Sequence, residues 1–101
     1  MATSEIRVTP QELRNKAGDF RQHNADFRSE VERMNGYVSE LSGMWDGEAK
    51  EAFNKAFNDD KGKMDLFAKN IDKYVQALEE TAKQYEEAEK TAASLASQRS
   101  S

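Results

Sequence analysis

The side chains that could perform chemistry in this sequence are a single histidine and many carboxylates. His23 has Asp19 four residues before it and Asp26 three residues after it, a spacing that puts all three on one helical face, as zinc ligands would require. Aspartate and glutamate fill 19 of the 101 positions, so neighbours of this kind arise by chance, and no second group of ligands matches this one. We therefore expect neither a metal site nor a cofactor.

Patterns typical of catalysis are also missing from the sequence. It has no cysteine to act as a nucleophile, no glycine-rich loop to cradle phosphate, and no serine-hydrolase or zinc-protease motif. Its paired carboxylates are adjacent, so on a helix they diverge by about 100° and cannot work together as acid and base. These pairs are Asp59 with Asp60, Glu79 with Glu80, and Glu86 with Glu87. The sequence predicts a protein that is not an enzyme and takes no small-molecule substrate.

The composition restricts the remaining classes of function. Charged residues make up 34% of the chain and hydrophobic residues 37%, with a formal net charge of −4. This mixed, mildly acidic charge argues against binding to nucleic acid and against a polybasic membrane anchor. The beginning of the chain has no apolar segment of a general secretory signal peptide, so export would use another route. Because apolar residues are scarce, either part of the chain is disordered or the fold borrows apolar surface from a partner.

A first helix is predicted over about residues 10–41. Thr9 suits the N-cap, Pro10 suits the first helical position, and Glu12 can complete a capping box. Apolar residues then alternate at spacings of three and four, as in a coiled-coil seam. Asn24 interrupts the seam, and a buried asparagine at such a position fixes the register of the helices.

A turn over residues 42–46 and a second helix over about residues 47–96 are predicted to follow. Gly43 offers the left-handed position that commonly ends a helix, and Asp46 is a good N-cap for the next one. The seam then continues almost to the end of the chain, and its weakest stretch is the polar run of residues 59–62. We expect a kink or a polar interruption in that run.

A connection this short makes the two helices fold back as an antiparallel hairpin, a single domain over residues 1–101. A bend centred near residue 44 would pair the first helix with about residues 47–75. About 20 further residues of the second helix would then have no partner within the chain. We expect this overhang either to fray or to serve another molecule.

The second helix has a wide apolar face. The positions beside its seam are mostly small or apolar: Lys61, Ala68, Val75, Ala82, Glu89 and Ala96. Such a face is typical of a multi-helix bundle, so we predict that two hairpins dimerise into a four-helix bundle. The predicted core of the hairpin and the dimer consists of Leu13, Phe20, Phe27, Val31, Val38, Phe57, Met64, Phe67, Ile71 and Leu78.

The corresponding positions of the first helix carry Arg14, Arg21 and Arg28. We interpret them as a solvated column that makes weak ion pairs, with the selection of a partner by charge as the alternative. Two other functions fit amphipathic helices of this kind. One is activity at a membrane surface, although the polar face lacks the Lys/Arg excess of interfacial helices; the other is a cytoplasmic coiled-coil adaptor.

The turn contains the only tryptophan of the chain, in the sequence Trp45-Asp46-Gly47. We predict that Trp45 is at least half-buried at the apex of the hairpin and that Gly47 lets the backbone come close beneath its ring. Together with residues 8–13, Val-Thr-Pro-Gln-Glu-Leu, this turn between two amphipathic helices resembles the WXG family of type VII secretion substrates, the relatives of the early secreted antigenic target of mycobacteria. The resemblance covers nearly the whole chain.

The family also has a C-terminal export motif, a tyrosine followed four residues later by Asp or Glu. Tyr37 and Tyr74 are each followed at that distance by leucine, whereas Tyr85 is followed by Glu89. The resemblance therefore assigns the export motif to a tail of about residues 85–101. On a helix, Tyr85 and Glu89 project from one face and offer a ring and a carboxylate to a receptor groove.

The resemblance implies a protein that is cytoplasmic before export and extracellular afterwards. It would be exported as a folded dimer by the type VII membrane machinery and its FtsK/SpoIIIE-like ATPase. In the antiparallel dimer of the family, Trp45 of one copy and Tyr85 of the other would form a composite recognition surface. The nearly balanced charges and good helix caps favour a homodimer, and the alternatives are a heterodimer with a paralogue or a chaperone-like partner of a larger co-secreted toxin.

Overall fold

Two long α-helices joined by a short connection make up the described part of the chain. The structure is a computed structural model that describes residues 8–100; the ends of the predicted domain, residues 1–7 and 101, lie outside this range. Helix α1 runs Pro10–Ser42 and helix α2 runs Glu48–Ser100. No residue between the two ends of the described range forms a strand, and the predicted all-α class is confirmed there.

The start of α1 shows why the helix begins where it does. The Oγ1 atom of Thr9 accepts a hydrogen bond from the backbone N–H of Glu12 at 3.1 Å. The carbonyl of Thr9 accepts a second one from the N–H of Leu13, also at 3.1 Å. Pro10, which has no N–H to satisfy, is buried directly after this cap. Thr9 is thus the N-cap that the sequence predicted.

At residues 59–62, where a kink or a polar interruption was predicted, α2 continues as a helix without a break. Polar residues weaken a seam without breaking a helix when they can reach solvent or a partner. Lys61 does both, since it is half-buried and its ammonium lies 3.8 Å from a carboxylate oxygen of Glu32 on α1. Its aliphatic stem can cover apolar surface while the charge stays at the edge.

The helices divide between two compact units, each of which contains a segment of α1 and a segment of α2. Within the described residues, the first unit comprises 8–20 and 73–100, and the second comprises 21–72. In the second unit the helices run antiparallel, because α1 residues with rising numbers meet α2 residues with falling numbers. Phe27, for example, packs its ring against Phe67 with centroids 5.6 Å apart, whereas Glu32 meets Lys61.

The pairing of α2 with α1 extends further than the sequence predicted. In the second unit, the hydroxyl of Ser42 donates to Oδ1 of Asn54 at 3.3 Å, so the chain runs past the end of α1 before α2 returns beside it. In the first unit, Arg14 forms an ion pair with Glu86. The prediction that α2 has no partner in the chain beyond about residue 75 was therefore wrong. It assumed a bend centred near residue 44, and a bend that lies further along the chain lets later residues of α2 pair with α1.

Small side chains line the contact between the helices. On α1 the buried residues of the seam are Ala17, Asn24 and Val31, each seven positions from the next. On α2 they are Ala68, Val75 and Ala82, again spaced by sevens. Small residues at the contact let two helices approach closely. Ala68, Val75 and Ala82 were predicted to widen the apolar face of α2 for contact with a second hairpin. They are instead already buried within the units of the single hairpin.

The larger residues of the predicted core flank this contact. Val31 is buried, and seven others are half-buried: Leu13, Phe27, Val38, Phe57, Met64, Ile71 and Leu78. Phe20 and Phe67 are exposed in the single chain, and so are Met34, Leu41 and Tyr74 on the same seams. The hairpin alone therefore leaves an apolar flank in each unit, Phe20 and Tyr74 in the first and Met34, Leu41 and Phe67 in the second.

Asn24 is the polar residue within the contact, with 5% of its surface exposed. Its amide group donates to the carbonyl oxygen of Ala68 at 3.0 Å and to a carboxylate oxygen of Asp72 at 2.9 Å. The guanidinium of Arg28 donates to the other oxygen of Asp72 at 2.9 Å. Since these bonds form only when one residue of α1 faces one turn of α2, the network fixes the register of the helices in this unit.

Replacing Asn24 with alanine is expected to lower the free energy of unfolding by about 1 to 2 kcal/mol, because a bond to a charged acceptor and a bond to a carbonyl are lost in a buried place. Urea unfolding followed by circular dichroism measures this change. Asn58, which is exposed on α2, provides the matched control, and Asn58→Ala should change the stability by no more than about 0.5 kcal/mol. Equal effects of the two substitutions would contradict the role given to Asn24.

Candidate recognition site

The connection between the helices is closed by backbone hydrogen bonds at the end of α1. The N–H of Gly43 lies 3.2 Å from the carbonyl oxygens of both Ser39 and Glu40, and the N–H of Met44 bonds to the carbonyl of Leu41 at 3.1 Å. These short-range bonds tighten the last turn. Gly43 does not adopt the left-handed conformation that was predicted for it, because the helix ends in this tightened turn instead.

Of the five glycines in the chain, only Gly47 has a positive φ, 111°. Its carbonyl accepts the N–H of Glu51 at 3.3 Å, so Gly47, and not the predicted Asp46, precedes the first residue of α2 as its N-cap. A Cβ atom added at Gly47 would meet no atom within 4 Å. The glycine is therefore needed for its backbone conformation and not, as predicted, for a close approach beneath Trp45.

Replacing Gly47 with alanine is expected to destabilise the protein by about 1 to 2 kcal/mol, because a residue with a Cβ is strained at this φ. The control is Gly62, which lies within α2 with open space around it. Gly62→Ala should raise the stability by about 0.5 to 1 kcal/mol, since alanine favours a helix interior. Thermal unfolding of both variants measures the difference, and a Gly47→Ala protein as stable as the parent would contradict this account of the turn.

Trp45 is half-buried and packs against one aromatic residue of α2. Its ring centroid lies 5.8 Å from that of Phe53, with the ring planes tilted by 53°, within the usual range for aromatic pairs. Met44, directly before it, is 76% exposed, and Leu41 and Phe53 are also exposed. The turn thus presents an indole held by a neighbouring ring among other accessible apolar side chains.

The predicted C-terminal motif begins on the paired part of α2 and continues into an exposed part. Tyr85 and Glu86 are half-buried, whereas Glu89 and the other residues of 87–99 are exposed. On the helix, Tyr85 and Glu89 lie one turn apart on the same face.

Glu86 is held by a bidentate ion pair from α1. The two terminal nitrogens of Arg14 donate to its two carboxylate oxygens at 3.0 and 2.9 Å. The hydrogen bond from Arg14 lowers the pKa of Glu86, and the same bond raises the pKa of Arg14. Because the pKa of the carboxyl is lowered by folding, the pair stabilises the fold above the ordinary pKa of glutamate and loses this effect as the pH falls through the lowered one.

Sequence reasoning missed this role of Arg14, which was assigned to a solvated column of weak ion pairs. A signal was present: the same number of residues separates Arg14 from Arg28 and Asp72 from Glu86. In the structure these residues form two cross-helix pairs, Arg14 with Glu86 in the first unit and Arg28 with Asp72 in the second.

The four residues predicted for recognition fall into different units. Trp45 and Gly47 belong to the second unit, and Tyr85 and Glu89 belong to the first. Within the described range, no three His, Cys, Asp or Glu side chains are grouped as a metal ion would require, and this includes His23 with its neighbouring aspartates. Neither helix, as far as it is described, has a segment long and apolar enough to cross a membrane.

The chain is similar to known proteins over most of its length. The family model described as proteins of 100 residues with WXG matches residues 5–90, a range that includes both the turn and the C-terminal motif. The protein YukE of Bacillus subtilis (strain 168) is 32% identical over 77 residues, which are 76% of this chain and 79% of YukE.

Solved structures agree with the observed arrangement of helices. A crystal structure of the secreted protein EsxB from Bacillus anthracis str. Sterne has a TM-score of 0.76 at 27% identity, covering 83% of this chain and 90% of that one. EsxA of Geobacillus thermodenitrificans has a TM-score of 0.79 at 26% identity, covering 89% of this chain and 98% of that one.

Proposed function

Because the chain belongs to the WXG100 family, we propose that it is a substrate of a type VII secretion system and is exported as a folded dimer. The observation that carries this proposal is the place of the Trp-x-Gly sequence. It forms the connection between two paired helices, with Trp45 held by Phe53 and Gly47 in a conformation that favours glycine. The similar protein EsxB is itself a secreted protein.

The dimer is supported by the apolar flanks of the two units. Phe20, Met34, Leu41, Phe67 and Tyr74 are all exposed, although large apolar residues on the seam of a helix normally lie in a core. A second hairpin packed on these flanks would cover them and complete a four-helix bundle. A homodimer uses the same flanks twice, as two-fold symmetry requires; a paralogue with matching flanks is the alternative partner.

Recognition by the secretion ATPase would use Trp45 and Gly47 from one copy and Tyr85 and Glu89 from the other. Trp45 supplies a large, partly exposed ring, which is the kind of side chain that anchors protein interfaces. Tyr85 and Glu89 add a ring and a carboxylate on one helical face. Such a surface would exist only in the dimer, so unassembled chains would not be exported.

Export can be tested in a bacterium that has a type VII system, by comparing a strain with the active ATPase and a strain in which the ATPase is inactivated. We expect the full-length protein in the medium of the first strain only. A cytoplasmic protein measured in the same medium controls for lysis. Appearance in the medium of both strains would contradict this route. Retention in the cells of both would favour the cytoplasmic adaptor or the chaperone-like partner of a larger toxin.

A further inference from the structure

The C-terminal motif spans the boundary between the packed and the exposed part of α2. Ala82, one turn before it, has no exposed surface. Tyr85 and Glu86 are half-buried, and every residue of 87–99 is exposed. The direction in which the side chains of the motif point therefore depends on the contacts that hold α2 at Tyr85 and Glu86.

Arg14, in the second turn of α1, holds α2 at Glu86. Each of its two terminal nitrogens donates to a different carboxylate oxygen of Glu86, and the planar guanidinium makes such a pair of bonds in a restricted orientation. Glu86 lies directly between Tyr85 and the rest of the motif. When one residue of a helix is fixed in rotation, the directions of its neighbours are fixed as well.

We propose that Arg14 is a positioning residue for the C-terminal recognition motif, because its bidentate bond to Glu86 holds α2 on the first turns of α1 and so presents Tyr85 and Glu89 in one fixed direction. This inference rests on the proposed function. It assigns a part in recognition to a residue that lies outside both the turn and the motif.

The effect of Arg14 is local. Its side chain and that of Glu86 are 37% and 41% exposed, and ion pairs at such positions add little to the stability of a whole protein. The pair of Arg28 with Asp72 is also an arginine–carboxylate ion pair at 2.9 Å, but it is formed through one bond, because Asn24 donates to the other oxygen of Asp72, and it lies in the other unit. Arg28 is therefore the control for a charge reversal away from the motif.

The test compares Arg14→Glu, Arg28→Glu and the double variant Arg14→Glu/Glu86→Arg by amide hydrogen exchange and by export. In Arg14→Glu we expect exchange of residues 83–90 to become about two- to fivefold faster, as loss of a partly exposed pair allows, and the exported amount to fall. Arg28→Glu should leave both quantities at these residues unchanged. The double variant restores the opposite charges and should recover both.

Unchanged exchange in Arg14→Glu would overturn the proposal, whatever happens to export. Faster exchange with undiminished export would also overturn it, and so would a double variant no better than the single one. If the unsubstituted protein is not exported through the ATPase, the proposed function fails by itself. The exchange data then still decide whether Arg14 holds this segment of α2.

Discussion

Replacing Trp45 with alanine is expected to reduce export by about thirtyfold or more, the effect of removing an anchor residue worth about 2 kcal/mol from a recognition surface. The indole is half-buried and packs on Phe53. Its ring is therefore held in place by a neighbour and is still accessible to a receptor. The helices should remain, because the buried contact between them does not include Trp45. The measurement is the ratio of exported to cellular protein, together with the helical circular dichroism signal of the purified variant.

Met44 provides the control for this substitution. It precedes Trp45 directly and is more exposed, at 76%, so Met44→Ala removes apolar surface from the same turn without removing the ring. We expect Met44→Ala to be exported at close to the normal level. Normal export of Trp45→Ala would contradict the site, and so would equal losses in the two variants, since any apolar side chain at the turn would then serve.

Replacing Phe67 with glutamate is expected to prevent dimerisation. Phe67 touches Phe27 but is 53% exposed in the single chain, so a second hairpin packed on it would cover a large apolar surface. A carboxylate in an apolar interface costs several kcal/mol, and a symmetric dimer would contain two of them. We expect Kd of the dimer to rise by at least about a thousandfold, and export of the folded dimer to be lost with it.

Leu66, the residue before Phe67, provides the control for this substitution. It is 60% exposed, but on a helix it points about 100° away from Phe67. Light scattering after size exclusion should give twice 11.5 kDa for the parent chain and for Leu66→Glu, and a monomer for Phe67→Glu. A monomeric parent chain, or a dimeric Phe67→Glu, would contradict the homodimer.

The elements of this fold could be predicted from sequence because their signals are local. The Thr9 cap lies within one turn of the residues that it caps, and the alternation of apolar residues at spacings of three and four marks a helix. Asn24 also stood out, because one polar residue in an apolar seam is visible without a structure. Its partners were not visible, since they lie on the other helix.

The register and the turn could not be predicted, for physical reasons. Periodicity gives the apolar face of each helix but not the rotation or the shift of one helix against the other. The pairing of Arg14 with Glu86 and the burial of Ala82 within the single chain were therefore missed. At the turn, Gly43 and Gly47 both suit a left-handed position, and the choice depended on how α1 ended.

The candidate site was predictable only in part. Trp45, Gly47, Tyr85 and Glu89 were selected through the resemblance of the sequence to a family, because no chemical pattern distinguishes them by itself. Arg14 matched Glu86 only through the equal spacing of two arginines and two carboxylates, and its bidentate bond to Glu86 is visible only in the structure.

Co-expression of two differently tagged variants, Trp45→Ala and Tyr85→Ala, tests most directly whether the recognition surface is shared between two chains. A mixed dimer would retain one complete surface, with Trp45 from the Tyr85→Ala chain and Tyr85 from the Trp45→Ala chain. We predict that neither variant is exported alone and that both tags appear in the medium when the variants are expressed together. Continued retention of both tags, with mixed dimers present in the cells, would contradict a surface shared by two chains.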